Sequence, residues 1–253
     1  MKRLENKVAL ITGGAGSIGQ TTAKLFLEEG AKVVLVDLDE AALKQAVAGL
    51  GSDKVDYVVA NVTKATDVER YAQETVKKFG KIDVFFNNAG IEGVVKPITE
   101  FPEDVFDKVM AVNVKGVFLG CKYVLPQMND GGSMIITSSV AGLHGSADFV
   151  AYVASKHATL GIMKTAALEA APRKIRVNTV HPSPVDNRMM RSIEEGYAPG
   201  AATEAKKGLE SGIPLGRYAA PLEISKLVLF LGSDDSQFIT GAQYVIDGGS
   251  SAK

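Results

Sequence analysis

A single cysteine, Cys121, stands among 253 residues, so an intrachain disulfide is excluded. That scarcity points to a reducing compartment. Net charge is also small: 28 Lys and Arg against 29 Asp and Glu leave −1. No basic footprint for nucleic acid or an anionic membrane follows from such a balance. No run approaches the ~20 apolar residues that a membrane-spanning helix needs. The first seven residues lack the apolar stretch and small-residue cleavage site of a secretory signal. The three histidines, His144, His157 and His181, show no metal-ligand spacing, so no metal is expected. Together these absences describe a cytoplasmic protein with neither nucleic acid nor membrane as partner.

What is present is an alternation of short β-branched runs with longer helical patterns. Hydrophobic residues make up 46% of the chain, enough for a sizeable core. Strands are expected at Val8–Thr12, 32–36, 56–60, 82–86, 133–137, 174–180 and Gln243–Ile246. Helices are expected at 21–29, 39–50 with Asp39 as N-cap, Ala65–Phe79, 102–128, 149–170 and 221–231. Strands apolar on both faces and separated by helices imply a parallel sheet covered on both sides. The expected fold is therefore α/β, a single-domain, Rossmann-type doubly wound sheet over residues 1–253. Residues 183–216, rich in Gly, Pro, Met and charge, are too long for an idle connection and read as an irregular substrate lid.

Between the first strand and first helix lies Thr12-Gly13-Gly14-Ala15-Gly16-Ser17-Ile18-Gly19. Glycines there permit a tight turn and let a pyrophosphate approach bare backbone at a helix start. Asp37 ends the second strand, where a carboxylate accepts from the ribose hydroxyls of NAD and repels the 2′-phosphate of NADP. Tyr152 and Lys156 are four apart and share a helix face. An ammonium beside a phenol favours the phenolate, which suits Tyr152 to proton transfer with an alcohol or ketone.

These features, with Asn87-Asn88-Ala89-Gly90, Asn113, Ser138-Ser139, Tyr152-Val-Ala-Ser-Lys156, Arg176-Val-Asn178 and Ile246-Asp247-Gly248-Gly249, resemble the short-chain dehydrogenase/reductase family from Lys7 to Gly249. The resemblance implies a catalytic set of Asn113, Ser139, Tyr152 and Lys156. Ser139 would orient the substrate oxygen, and Asn113 would hold a water linking Lys156 to solvent. For the cofactor, NAD(H), it implies Gly13, Gly16, Ser17, Ile18, Gly19, Asp37, Asn61, Val62, Asn88, Ala89, Gly90, Tyr152, Lys156, Pro182, Ser183, Val185 and Asn187. Ile91, Val94, His144, Met189, Met190, Ile193 and Tyr197 would line the pocket. Ser17 stands where the family usually has Gly, Asn61 where it has Asp, Ser183 where it has Gly, and Asn187 where it has Thr. The last two touch the nicotinamide end.

The implied activity is an NAD(H)-dependent alcohol dehydrogenase or ketone reductase acting on a small, apolar alcohol or ketone. A 3-oxoacyl-[acyl-carrier-protein] reductase is a second reading, disfavoured by Asp37 because that activity usually takes NADPH. A catalytically silent NAD-sensing binder is a third, disfavoured by the complete tetrad. The largely apolar helical stretches 112–125 and 152–168 imply burial on both sides and, as in the family, a homotetramer.

Overall fold

The computed structural model describes residues 2–252. Among these residues, seven strands form one parallel sheet in the order β3-β2-β1-β4-β5-β6-β7. They are β1 (Val8–Thr12), β2 (Lys32–Asp37), β3 (Val55–Val59), β4 (Ile82–Asn87), β5 (Met128–Thr137), β6 (Arg176–Pro182) and β7 (Gln243–Ile246). The helices are α1 (Ser17–Glu28), α2 (Glu40–Leu50), α3 (Ala65–Phe79), α4 (Glu103–Met110), α5 (Gly116–Val124), α6 (Val150–Ala170), α7 (Arg188–Tyr197), α8 (Ala202–Ser211) and α9 (Pro221–Gly232).

Successive side chains of a strand point to opposite faces, and the core divides accordingly. Val34 and Val36 of β2 join Tyr71 of α3, Val117 of α5 and Met163 of α6 in one buried layer. Val33 and Leu35 join Phe26 of α1, Leu43 of α2 and Val228 of α9 in the other. Cys121 is buried in the first layer, its Sγ 3.6 Å from the Met134 sulfur, and burial pushes its thiol up to about 12.

Several boundaries depart from the sequence reading. The first helix begins at Ser17, four residues earlier than its apolar spacing suggested. The expected helix over 102–128 is a composite. α4 passes into a π turn at Ala111–Lys115, where the Gly116 N–H reaches back to the Ala111 carbonyl, and then into α5. By length and a mean hydropathy of 1.3, Glu103–Gln127 would pass for a membrane span. Its buried side chains Val117, Leu119, Cys121 and Val124 instead pack in the layer that covers the sheet. Residues 131 and 132 do not end a helix but lie inside β5, where pairing with β4 slips between Ile82 and Val84. Residues 183–216 are not irregular throughout, since they carry α7 and α8.

Strand order reverses between β1 and β4, and in parallel sheets ligands bind outside the carboxyl ends at such a point. Residues 13–19, 88–92, 138–144 and 183–187 all leave strands on that edge.

Candidate active site

The turn after β1 is built to expose its backbone. Gly13 adopts φ +66°, and a Cβ there would lie 2.9 Å from Asn88 Nδ2. At Gly19 a Cβ would meet the Gly13 carbonyl at 2.3 Å, so the turn closes this tightly only around glycine. Gly16 caps α1 with no side-chain hydrogen bond, and the first turn holds no acidic residue. By contrast α2 is capped conventionally, with Asp39 accepting from the Ala42 N–H at 3.0 Å. A helix start left uncapped at a glycine turn suits a phosphate group. Ser17 and Ile18 open that helix.

Asp37 closes the same turn from the side. One carboxylate oxygen accepts from Ala15 N–H at 3.0 Å and the other from Leu38 N–H at 2.8 Å. Each oxygen keeps a lone pair that a sugar hydroxyl can use. After β3, Asn61 accepts from the Thr63 backbone and hydroxyl, and Val62 packs over Gly116. Asn88 donates to the Thr12 carbonyl and accepts from the Thr137 hydroxyl, tying the ends of β1, β4 and β5 together next to Ala89 and Gly90.

The four expected catalytic residues converge here. Lys156 is 3% exposed, and its Nζ donates to the Thr137 carbonyl at 2.9 Å. An ammonium has three hydrogens, so two more can serve a ligand. Among the described residues no carboxylate pairs with it, and burial brings it down to about 8. The Nζ lies 5.5 Å from the centre of the Tyr152 ring. A Cβ on Gly90 would be 3.3 Å from Asn113 Oδ1 and 3.5 Å from Lys156 Nζ, which places all three together.

Asn113 sits on the π turn, fully buried. Its Oδ1 accepts from the Ile91 N–H at 2.8 Å, while its Nδ2 donates to the Ile91 carbonyl and to Ser155 Oγ. Both amide hydrogens are thus engaged, and the side chain ties the loop after β4 to the π turn.

Tyr152 departs from the expected electrostatics. Burial pushes its phenol up to about 12; the Ser139 hydroxyl opposes the rise and the Glu92 carboxylate adds to it. The expected lowering by Lys156 does not offset this burial. Ser139 itself accepts from the Ala141 N–H at 3.2 Å and points its hydroxyl toward the Pro182 carbonyl, 3.4 Å away.

Beyond β6, Ser183 is buried and its N–H reaches the Ile246 carbonyl. Val185 bridges to Ala219. Asn187 caps α7 through the Met190 N–H at 3.0 Å, which occupies its carbonyl oxygen but not its amide hydrogens. Met190 and Ile193, expected at a pocket wall, pack with Leu209, Ile213 and Tyr218 in a small apolar cluster that holds α7 and α8 to the chain. Met189 is half-buried, and His144 is exposed in the loop before α6. Tyr197 stacks on Phe149 with centroids 5.7 Å apart, and Phe149 meets Tyr152 edge-on at 6.0 Å. A Cβ on Gly196 would strike Val95 at 2.7 Å. An open groove of about 770 Å³ beside Pro97, Ser146, Asp148 and His157 contains no member of the tetrad. Among the described residues no cluster of His, Cys, Asp and Glu could hold a metal.

Sequence reasoning missed Glu92, Phe149 and His181. Glu92 directly follows the turn motif and Phe149 precedes α6, so position could have flagged both. Of the His181 partners, Thr179 is two residues away on β6, but Ser139 lies 42 residues back along the chain and carries no local signal.

A family model described as enoyl-(acyl carrier protein) reductase matches residues 13–251. The 3-oxoacyl-[acyl-carrier-protein] reductase of Thermotoga maritima is 40% identical over 252 residues, 98% of each chain. Levodione reductase of Leifsonia aquatica is 38% identical, over 99% of this chain and 96% of its own. A crystal structure of a levodione reductase superposes with a TM-score of 0.96, at 36% identity and 99% coverage of both chains. The crystal structure of NAD+-bound xylitol dehydrogenase gives 0.92 at 34% identity, over 98% of this chain and 100% of that one. With near-complete coverage at this identity, and with the sheet order and strand-end site described above, the chain belongs to the short-chain dehydrogenase/reductase family of oxidoreductases.

Proposed function

We propose that the chain is an NAD(H)-dependent dehydrogenase interconverting a secondary alcohol and a ketone. The observation that carries this reading is the meeting of Tyr152, Ser139 and buried Lys156 at the strand edge that also bears the uncapped glycine turn. When bound, the nicotinamide takes up or supplies the hydride. The Tyr152 phenolate receives the alcohol proton, or the phenol returns one to the ketone oxygen. Ser139 hydrogen-bonds the same oxygen, and the Lys156 ammonium favours the phenolate once the site fills. The two free hydrogens of Lys156 and the open oxygens of Asp37 suit the two ribose ends of NAD(H).

Residues 183–216 act as the lid, and Phe149 with Tyr197 offers an aromatic wall to an alicyclic or aryl substrate. A levodione reductase and a xylitol dehydrogenase among the similar structures agree with hydroxyl or ketone substrates. The similarity to the Thermotoga maritima enzyme keeps 3-oxoacyl thioester reduction as the second reading. The chain works as a homotetramer in the cytoplasm, with Phe118 of α5 and Leu168 of α6, 50% and 78% exposed, covered by neighbouring copies.

The test is a panel of simple, cyclic and aryl secondary alcohols and ketones, with an acetoacetyl thioester included, against NAD(H) and NADP(H) in parallel. NADH formation from at least one cyclic or aryl alcohol is expected. Turnover of the thioester alone would favour the second reading, and NAD binding with no turnover of any member would sink both. Light scattering reads assembly; a 26.7 kDa species at micromolar concentration would overturn the tetramer.

A further inference from the structure

His181 lies on β6, fully buried, and no step above uses it. Its Nδ1 is 2.9 Å from the backbone carbonyl oxygen of Ser139. Its Nε2 is 2.9 Å from the hydroxyl of Thr179. A carbonyl only accepts, so Nδ1 must carry the hydrogen. In the neutral ring Nε2 then holds a lone pair, and Thr179 donates to it at 2.9 Å rather than to the Ala242 carbonyl at 3.4 Å. One tautomer satisfies both bonds.

The neighbours of His181 reach for the same stretch. The Val180 carbonyl accepts from the Ser138 N–H at 2.9 Å, and the Pro182 carbonyl faces the Ser139 hydroxyl at 3.4 Å. Three consecutive residues of β6 thus hold the Ser138 N–H, the Ser139 carbonyl and the Ser139 hydroxyl. Of the three, only His181 acts through a side chain that the strand itself does not require. Ser139 has left β5 at this point and has entered no α-helix. Without the imidazole, its carbonyl would keep the Gly142 N–H at 2.9 Å but lose its side-chain donor at the position where the hydroxyl must be aimed.

We propose that His181 is a positioning residue of the reaction: its imidazole fixes the Ser139 main chain, and through it the direction of the Ser139 hydroxyl toward the substrate oxygen. This rests on the alcohol–ketone reading of the site. Burial holds the ring below the usual histidine range, the Ser139 carbonyl partly opposes this, and the Lys156 charge adds to it. The neutral form that the clamp needs is therefore the resident one.

The full chain is assayed with cyclohexanol and NAD+, or with whichever panel alcohol is faster. His181→Ala is expected to lower kcat on the order of 10- to 100-fold while the KM for NAD+ stays within about twofold, since sub-ångström misplacement of a reacting group costs this much. His181→Asn retains an N–H donor at the Nδ1 position and is expected to recover most of the loss. In a Ser139→Ala background, His181→Ala should cost nothing further, because residues that act as one unit are not additive. A His181→Ala enzyme with wild-type kcat, or one that further slows Ser139→Ala, overturns the proposal. If His181→Ala does not fold, nitrogen NMR of the wild-type ring decides: a neutral, Nδ1-protonated imidazole is expected, and an Nε2-protonated one removes the clamp. A Ser139→Ala enzyme as fast as wild type would instead defeat the alcohol–ketone reading, a result distinct from either of these.

Discussion

Two helical regions flank the candidate site, and they are attached in opposite ways. α6 buries Ala151, Ser155, Lys156, Thr159, Met163, Ala166, Ala167 and Ala170 along its 21 residues. α7 buries only Met190 and Glu194, and α8 has no buried residue. The second region is held by the cluster around Tyr218 and by partly exposed ion pairs such as Lys206–Asp186 at 3.7 Å. Partly exposed pairs of that kind contribute at most ~1 kcal/mol each. On the proposed reading, groups whose geometry must not vary sit on the deeply packed helix, and groups that would admit a substrate sit where little burial opposes movement.

The sharpest way to break this contrast is Tyr152→Phe. It removes one oxygen from the packed region and should cut turnover on the order of 10²- to 10⁴-fold, with NADH binding by fluorescence unchanged. Substantial residual turnover would take proton transfer away from α6. Next in size is cofactor choice. In the proposed site Asp37 would present a carboxylate to the 2′-phosphate of NADP, and Leu38, Asp39 and Glu40 bring no compensating cation. A preference for NAD of at least ~10-fold in kcat/KM, equivalent to ~1.4 kcal/mol, is expected. Asp37→Asn should narrow it, and equal use of both cofactors by the wild type would show that the carboxylate does not read the ribose.

A smaller effect is expected from the loosely held side. Tyr197→Ala removes the stack on Phe149, a contact worth about 1 kcal/mol, and should raise substrate KM roughly fivefold with kcat nearly unchanged. Amide exchange in α7 should quicken while α6 stays protected. Uniformly slow exchange over both regions would erase the contrast. The smallest change is Glu92→Gln. Glu92 raises the Tyr152 phenol, so its neutralisation should lower the phenol and move the pH-dependent rise of alcohol oxidation to lower pH. Tyr152 and Lys156 titrate as a pair, so the measured midpoint belongs to both. An unmoved profile under chemistry-limited conditions would show that the carboxylate does not act on the phenol.

The tightly packed region was also the more legible one. β1 and α3 fall at the residues that their apolar spacing marks, α6 falls within one residue of it, and Asp39 caps α2 as its position suggests. α8 was not legible because none of its residues is buried, which leaves its apolar spacing thin, whereas α7 does carry Met189, Met190, Ile193 and Tyr197 at helical spacing, masked by the nearby Gly196 and Gly200. One signal was present nonetheless: Asn187 is a good N-cap residue and does cap α7. The π turn under Asn113 has no local signature, since it is fixed by the amide's grip on Ile91, 22 residues away. The raised phenol of Tyr152 could not be read from a Tyr-x-x-x-Lys spacing either, because desolvation depends on what surrounds the pair.

The position of Cys121 has a practical consequence. The one thiol in the chain is sealed against Met134 with its proton held firmly, and the thiolate is the form that reacts with maleimides and iodoacetamides. The native protein should therefore be nearly silent to such reagents. A cysteine introduced on the outer surface of α8, for example at Thr203, would be the sole reactive position. A fluorophore or spin label could then report the movement of that helix without first deleting a native residue.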